Sequence, residues 1–264
     1  MDYLLLGLFG CMAGVTTVLF GFGGGFVVVP VLYRLLGAQE PALHIAVATS
    51  TCVMVVNAAI ATGKQWRAGN LLPAYLWPLA GFIGVGAIVG ALAAGRVNNL
   101  TLRLGFVVYL GATIADCVLR RGFIQPSAQG AARPLAGGTH AVGGIVMGAI
   151  ATFLGVGGSV MSVPLLRRHG LSMTQATAMA NPLSLPVAVM GSLTYVLMAP
   201  ATGLTLGPHY LGYVNVPAFV LLTLGALLGI RAATPWVGRL NDRVHALIYV
   251  GLLLLVMSAM ALPA

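Results

Sequence analysis

"GFGGGFVVVP" (Gly21–Pro30) lies inside the first long apolar run of this 264-residue chain. Four of the five residues from 21 to 25 are glycine, and proline follows at 30. Inside a helix each glycine costs ~1 kcal/mol relative to alanine, and proline ~3 kcal/mol. Within a bilayer the backbone must also satisfy its own hydrogen bonds. Non-helical backbone at that depth survives only where protein buries it or where it lines a water-filled cavity. The stretch therefore predicts a deliberate break in a membrane helix, not a plain span.

The rest of the chain supplies the membrane. Hydrophobic residues make up 59% of it and charged residues only 6%, against about a quarter charged in a soluble domain. That excludes a water-soluble globule. Apolar runs long enough to span lie near 3–31, 41–63, 71–95, 100–119, 140–166, 173–199, 209–230 and 244–263. The expectation is an all-α polytopic membrane protein of about eight transmembrane helices. "MDYLLLGLFGCMAG" carries no basic residue, so no cleaved signal is expected at this start. The net charge of +9 is scattered through loops, which speaks for membrane topology and against a nucleic-acid partner.

The opening stretch has an echo. "GFGGGFVVVPVL" (21–32) aligns without gaps on "GVGGSVMSVPLL" (155–166), 134 residues further on, and Arg34 falls on Arg168. "GRVNN" (95–99) likewise echoes "GRLND" (238–242). The chain reads as two four-helix repeats with Gly-interrupted first helices. Residues 1–121 form the first repeat, 122–138 a linker and 139–264 the second. Four spans per half favour halves of the same orientation. A break that turned the chain back as a hairpin would invert them. With the N-terminus outside, the four-span count puts eight basic residues in inner loops and five in outer ones.

Matched glycine breaks in two halves point to a transporter's central site. Each break frees backbone N–H groups at a new helix start, whose positive dipole end attracts anions. Candidate substrate-binding residues are Gly23, Gly24 and Gly25 with Thr49 and Ser50 in the first half. In the second they are Gly157, Gly158, Ser159 and Asn181. Asn57 and Ser184 are further polar residues in apolar context. Gly86/Gly90 and Gly225/Gly229 read as helix-packing pairs. Buried carboxylates, which a cation carrier would need, are scarce: Asp2 and Glu40 sit at the start or in a loop, and Asp242 in a turn. Asp116, beside Arg120, and His44 are the candidates for proton coupling. No metal or cofactor motif is present, and Cys11, Cys52 and Cys117 show no ligand spacing.

At the paired Gly-x-Gly-Gly-Gly/Ser…Pro segments and at "ATS" (48–50) the sequence resembles the TauE/SafE family of membrane proteins. The resemblance covers nearly the whole chain. The second half departs from the pattern with "ANP" (180–182) and Ser159. The resemblance implies a secondary transporter in the bacterial inner membrane for a small anion, sulfite or an organosulfonate, with export favoured and a homodimer compatible. An anion channel and a cysteine-dependent sulfur-relay protein are the alternatives.

Overall fold

A computed structural model describes residues 3–37, 41–120, 122–124, 137–201 and 206–262. Asp2, Glu40, Arg121, Arg133 and most of the expected linker lie outside the described residues. Ten α-helices hold most of the described residues. The first half holds α1 (Tyr3–Phe20), α2 (Gly25–Leu36), α3 (Ala42–Arg67), α4 (Leu79–Ala94) and α5 (Asn99–Leu119). The second holds α6 (Gly144–Leu154, entered through one π-helical turn), α7 (Ser159–Arg168), α8 (Met173–Ala201), α9 (Val216–Ala233) and α10 (Asp242–Ala261). Seven helical segments are long and apolar enough to cross a bilayer, and shorter apolar helices accompany them. The chain is an all-α polytopic membrane protein.

Cross-helix contacts fix the direction of each helix. The guanidinium of Arg34, near the end of α2, donates to the Ala259 carbonyl. That of Arg103, near the start of α5, donates to the carbonyls of residues 260–262. The start of α3 meets α5 through Asn99 and the end of α4 through His44. These ends share one face of the membrane, the terminal face. On the opposite, linker face, Arg168 near the end of α7 pairs with Asp116 at the end of α5. Arg167 pairs there with Asp242, which also accepts from the Met173 N–H at the start of α8. So α3 starts at one face and its counterpart α8 at the other.

The halves are inverted. The same-orientation arrangement favoured from a count of four spans gives way, because the glycine break reverses the chain. α1 runs to the linker face, where its Val18 and Leu19 carbonyls accept from Gln65 and meet His245. Residues 21–24 then turn back toward mid-membrane, with φ of +75°, +66° and +91° at Gly21, Gly23 and Gly24. α2 continues to the terminal face. Each half thus makes five passes or part-passes, an odd number, and odd repeats invert.

The halves also exchange helices. α1 lies parallel to α9 so closely that a Cβ on Gly14 would overlap the Ala226 backbone, and one on Gly229 the Cys11 carbonyl. α6 lies on α4 in the same way, through Gly86 on Ile145 and Gly90 on Ala149. The "GRVNN" and "GRLND" echoes are helix starts. Asn98 accepts from the Thr101 N–H and Asn241 from the Arg243 N–H, each cap worth ~1 kcal/mol. Gly90→Leu must displace backbone, a cost beyond the ~1–3 kcal/mol of ordinary overpacking. It is expected to abolish the monodisperse peak in size-exclusion chromatography. Gly63→Leu, with nothing within 4 Å of its Cβ position, leaves that peak intact.

Candidate functional site

α3 and α8 cross at the centre of the molecule, and the two glycine breaks lie beside them. Ser50, Met54 and Asn57 line one face of α3 at helical spacing, and Asn181 and Ser184 line one face of α8. The polar members of this set are wholly buried. Ser50 Oγ lies 3.1 Å from the Gly25 carbonyl and 3.0 Å from that of Gly155. A hydroxyl has one proton, so it serves these two carbonyls of the two breaks in turn or shares it between them. The sulfur of Met54 sits between the breaks, 2.9 Å from the Cβ position of Gly23 and 2.8 Å from that of Gly157.

α2 and α7 begin here and run to opposite faces, so both present their N-terminal ends at membrane depth. Ser50 is about 12 Å along α3 from its terminal-face end, and Ser184 about 16 Å along α8 from its linker-face end. Neither N-cap, Gly24 nor Gly158, has a side-chain cap. Each helix end carries roughly half a positive charge, and no carboxylate of the described residues stands beside it. Several buried polar atoms nearby lack a hydrogen-bond partner among the described residues: both amide atoms of Asn57, Asn181 Oδ1, Ser159 Oγ and Ser162 Oγ. Such atoms ordinarily cost ~1–3 kcal/mol each. Their concentration around two helix starts makes this buried centre polar, with the positive ends of two helix dipoles directed at it.

The sequence candidates divide on this map. Gly23, Gly24, Gly25, Ser50, Gly157, Gly158, Ser159 and Asn181 come together at the breaks. Asn181 Nδ2 donates to the Thr17 carbonyl at the end of α1, 3.2 Å away. Thr49 points elsewhere, its Oγ1 accepting from the Asn215 N–H at 3.0 Å and so fixing the start of α9. His44 lies at the terminal-face end of α3, 3.1 Å from the Ala94 carbonyl and beside Tyr213. Asp116 sits at the linker face, paired with Arg168 and, at 3.3 Å, with Arg120. Both are a helix end away from the breaks. Met54 and Asn57 were not among the candidates. Their signal was the i, i+4, i+7 spacing from Ser50, which places all three on one helix face. Phe22, stacked between Phe26 and Tyr249 at 4.3 and 4.9 Å, walls off the break from α10.

An inverted pair of broken-helix repeats around a buried polar centre, with no carboxylate of the described residues in it, is the architecture of a membrane transporter. Comparison with known proteins agrees. The family model described as "Sulfite exporter TauE/SafE" matches residues 6–260, and the chain belongs to that family. It is 27% identical to a probable membrane transporter protein of Haemophilus influenzae, over 83% of each chain. It is 23% identical to one of Methanocaldococcus jannaschii, over 83% of this chain and 80% of that one. The probable membrane transporter protein MamO of Magnetospirillum gryphiswaldense is 26% identical over 87% of this chain, which covers only 41% of MamO. No solved structure matches the chain.

Proposed function

We propose that this protein is a secondary transporter for a small oxyanion, sulfite or an organosulfonate, with its site between the starts of α2 and α7. The observation that carries this reading is the convergence of two uncapped helix N-termini on the unpartnered Asn57 amide and Ser159 hydroxyl, groups that can donate to an anion. Neutral donors and helix dipoles hold an oxyanion without a fixed cation, loosely enough to release it. The inverted halves supply alternating access by rocking about that site. Family membership supports the sulfur oxyanion class.

The inverted topology redistributes the basic residues between the two faces. Eight of the eleven lysines and arginines among the described residues lie toward the linker face: Lys64, Arg67, Arg120, Arg167, Arg168, Arg231, Arg239 and Arg243. Arg34, Arg96 and Arg103 lie toward the terminal face. The positive-inside rule makes the linker face cytoplasmic in a bacterial inner membrane. An inside-negative potential then favours exit of an anion by ~2.3 kcal/mol per charge per 100 mV. Alkaline phosphatase fused after residue 264 is expected to be active, and fused after Gly69 inactive; the reverse pattern overturns the orientation.

Ligand class is tested by thermal shift of detergent-purified protein against sulfite, methanesulfonate, taurine, sulfate, phosphate and acetate. Stabilisation follows RT ln(1 + [L]/Kd), about 2.7 kcal/mol at a hundredfold excess over Kd. Selective stabilisation by sulfite or a sulfonate is expected. An equal response to all six, or none, would remove the sulfur oxyanion from the proposal.

A further inference from the structure

The chain contains a single lysine, Lys64, against twelve arginines. It sits in the last turn of α3, on a cavity of about 330 Å³ at the linker face. Val18, Gln65, Asn70, Thr174 and Thr234 share the lining, which holds no carboxylate. Lys64 Nζ donates to Thr234 Oγ1 at 2.8 Å, and no ion pair to Lys64 occurs among the described residues. The volume falls within the range of small-molecule sites.

Adjacent residues of α1 link this cavity to the central site. Gln65 accepts from Asn70 Nδ2 at 2.8 Å and donates to the Val18 carbonyl at 3.4 Å. The preceding carbonyl, that of Thr17, accepts from Asn181. One residue of α1 therefore separates the lysine-lined cavity from the polar centre.

The inverted repeat provides an internal control at the opposite face. Lys64 lies three residues before the end of α3, and Met198 three before the end of α8. Thr234 is the C-cap residue of α9, and Gly95 that of α4. At the linker face these positions make the Lys64–Thr234 hydrogen bond. At the terminal face Met198 Cε lies against Gly95, filling with a thioether the position where the other face keeps an ammonium. The two corresponding helix ends thus carry opposite chemistry, polar and cationic at the linker face and apolar at the terminal face.

We propose that the Lys64 cavity is a second anion site, a vestibule that takes a small oxyanion at the linker face before it reaches the central site. The proposal rests on the carrier reading for the vestibule's purpose and on this cavity alone for the binding. Lysine suits the task, because a hydrated point charge on a flexible stem attracts an anion without clamping it. Gln65 stands between the two sites, and breaking its hydrogen bond to Val18 opens the way down.

Because Lys64 is the only lysine, amine acetylation read at the peptide level reports on this cavity without any transport assay. The probe is methanesulfonate, compared with gluconate at equal ionic strength, during reaction of the detergent-purified protein with N-hydroxysuccinimidyl acetate. Methanesulfonate is expected to slow Lys64 acetylation by about threefold or more at concentrations above its Kd. The protection persists in Gly25→Ala and in Asn57→Leu, whose changes lie at the central site, and weakens in Thr234→Val. Equal rates in the two salts would overturn the proposal, as would protection that disappears in both central-site variants. Protection by phosphatidylglycerol but not by methanesulfonate would overturn it as well, assigning the cavity to a lipid headgroup. If the carrier reading alone fails, methanesulfonate still protects Lys64 while anion flux is absent.

Discussion

Gly25→Ala is expected to abolish anion transport while the protein still folds. By local propensity the change should help, since Gly25 opens α2 in ordinary helical geometry and alanine gains up to ~1 kcal/mol in a helix. The surroundings reverse the sign. A Cβ at residue 25 would stand 2.7 Å from the Gly155 carbonyl oxygen and 2.9 Å from Ser50 Oγ. The first of these is backbone of the other half and cannot rotate away. The two breaks must separate by several tenths of an ångström, and the Ser50 bridge to both carbonyls is lost. At a preorganised site a misplacement of ~1 Å costs on the order of a hundredfold, and a loss of that order is expected in initial flux. Gly7→Ala is the matched control, because nothing lies within 4 Å of its Cβ position. Full flux in Gly25→Ala would remove the contact between the breaks from the mechanism.

Asn57→Leu is expected to separate stability from function. The side chain is wholly buried, and neither amide atom has a partner among the described residues. Its Nδ2 lies 2.5 Å from the Cβ position of Gly24, at the uncapped start of α2. If Asn57 were only filling space, leucine of similar size would relieve ~1–3 kcal/mol of unmet hydrogen bonding and leave transport unchanged. As a donor to the anion its loss removes a charge-assisted hydrogen bond of ~1.5–3 kcal/mol, roughly ten- to a hundredfold in affinity. The expected variant melts higher, by about 2–4 °C per kcal/mol gained, yet transports at least tenfold worse at subsaturating anion. Thermal melts and flux on the same preparation check both halves. Unchanged flux per folded molecule, whatever the shift in melting, would make Asn57 a packing residue.

Much of this molecule could be read before its shape was known, and the residues show why. Composition alone forces the membrane, and the Gly21–Pro30 and Gly155–Pro164 echoes mark the breaks because glycine and proline are costly in any helix. The direction taken after the break was harder. Hydropathy runs straight through residues 3–31, as helix and returning helix are equally apolar, so a hairpin and a single span score alike. Only cross-chain contacts such as Arg34 to Ala259 and Asp116 to Arg168 distinguish them. The same ambiguity misplaced the charges: Lys64, Arg67 and Arg120 join the face shared by Arg167, Arg168 and Arg231, and Arg34, Arg96 and Arg103 leave it.

At the site, Thr49 and Ser50 are neighbours in sequence but lie about 100° apart around α3. One caps nothing in the breaks and holds Asn215; the other bridges the two halves. Met54 and Asn57 share the face of Ser50, and periodicity counted from Ser50 finds them. The cross-half pairing of α1 with α9 and α6 with α4 was half visible. Gly86/Gly90 and Gly225/Gly229 announced close packing, but small residues do not name their partner.

Sulfite and methanesulfonate efflux from proteoliposomes, driven by a potassium-valinomycin potential and compared between wild type and Gly25→Ala, tests the central claim most directly. Saturable, potential-dependent efflux in the wild type and none above empty liposomes in the variant is the predicted result. Equal efflux in the two, or none of either anion through a wild-type protein shown to be folded, would contradict a substrate site built from the paired breaks.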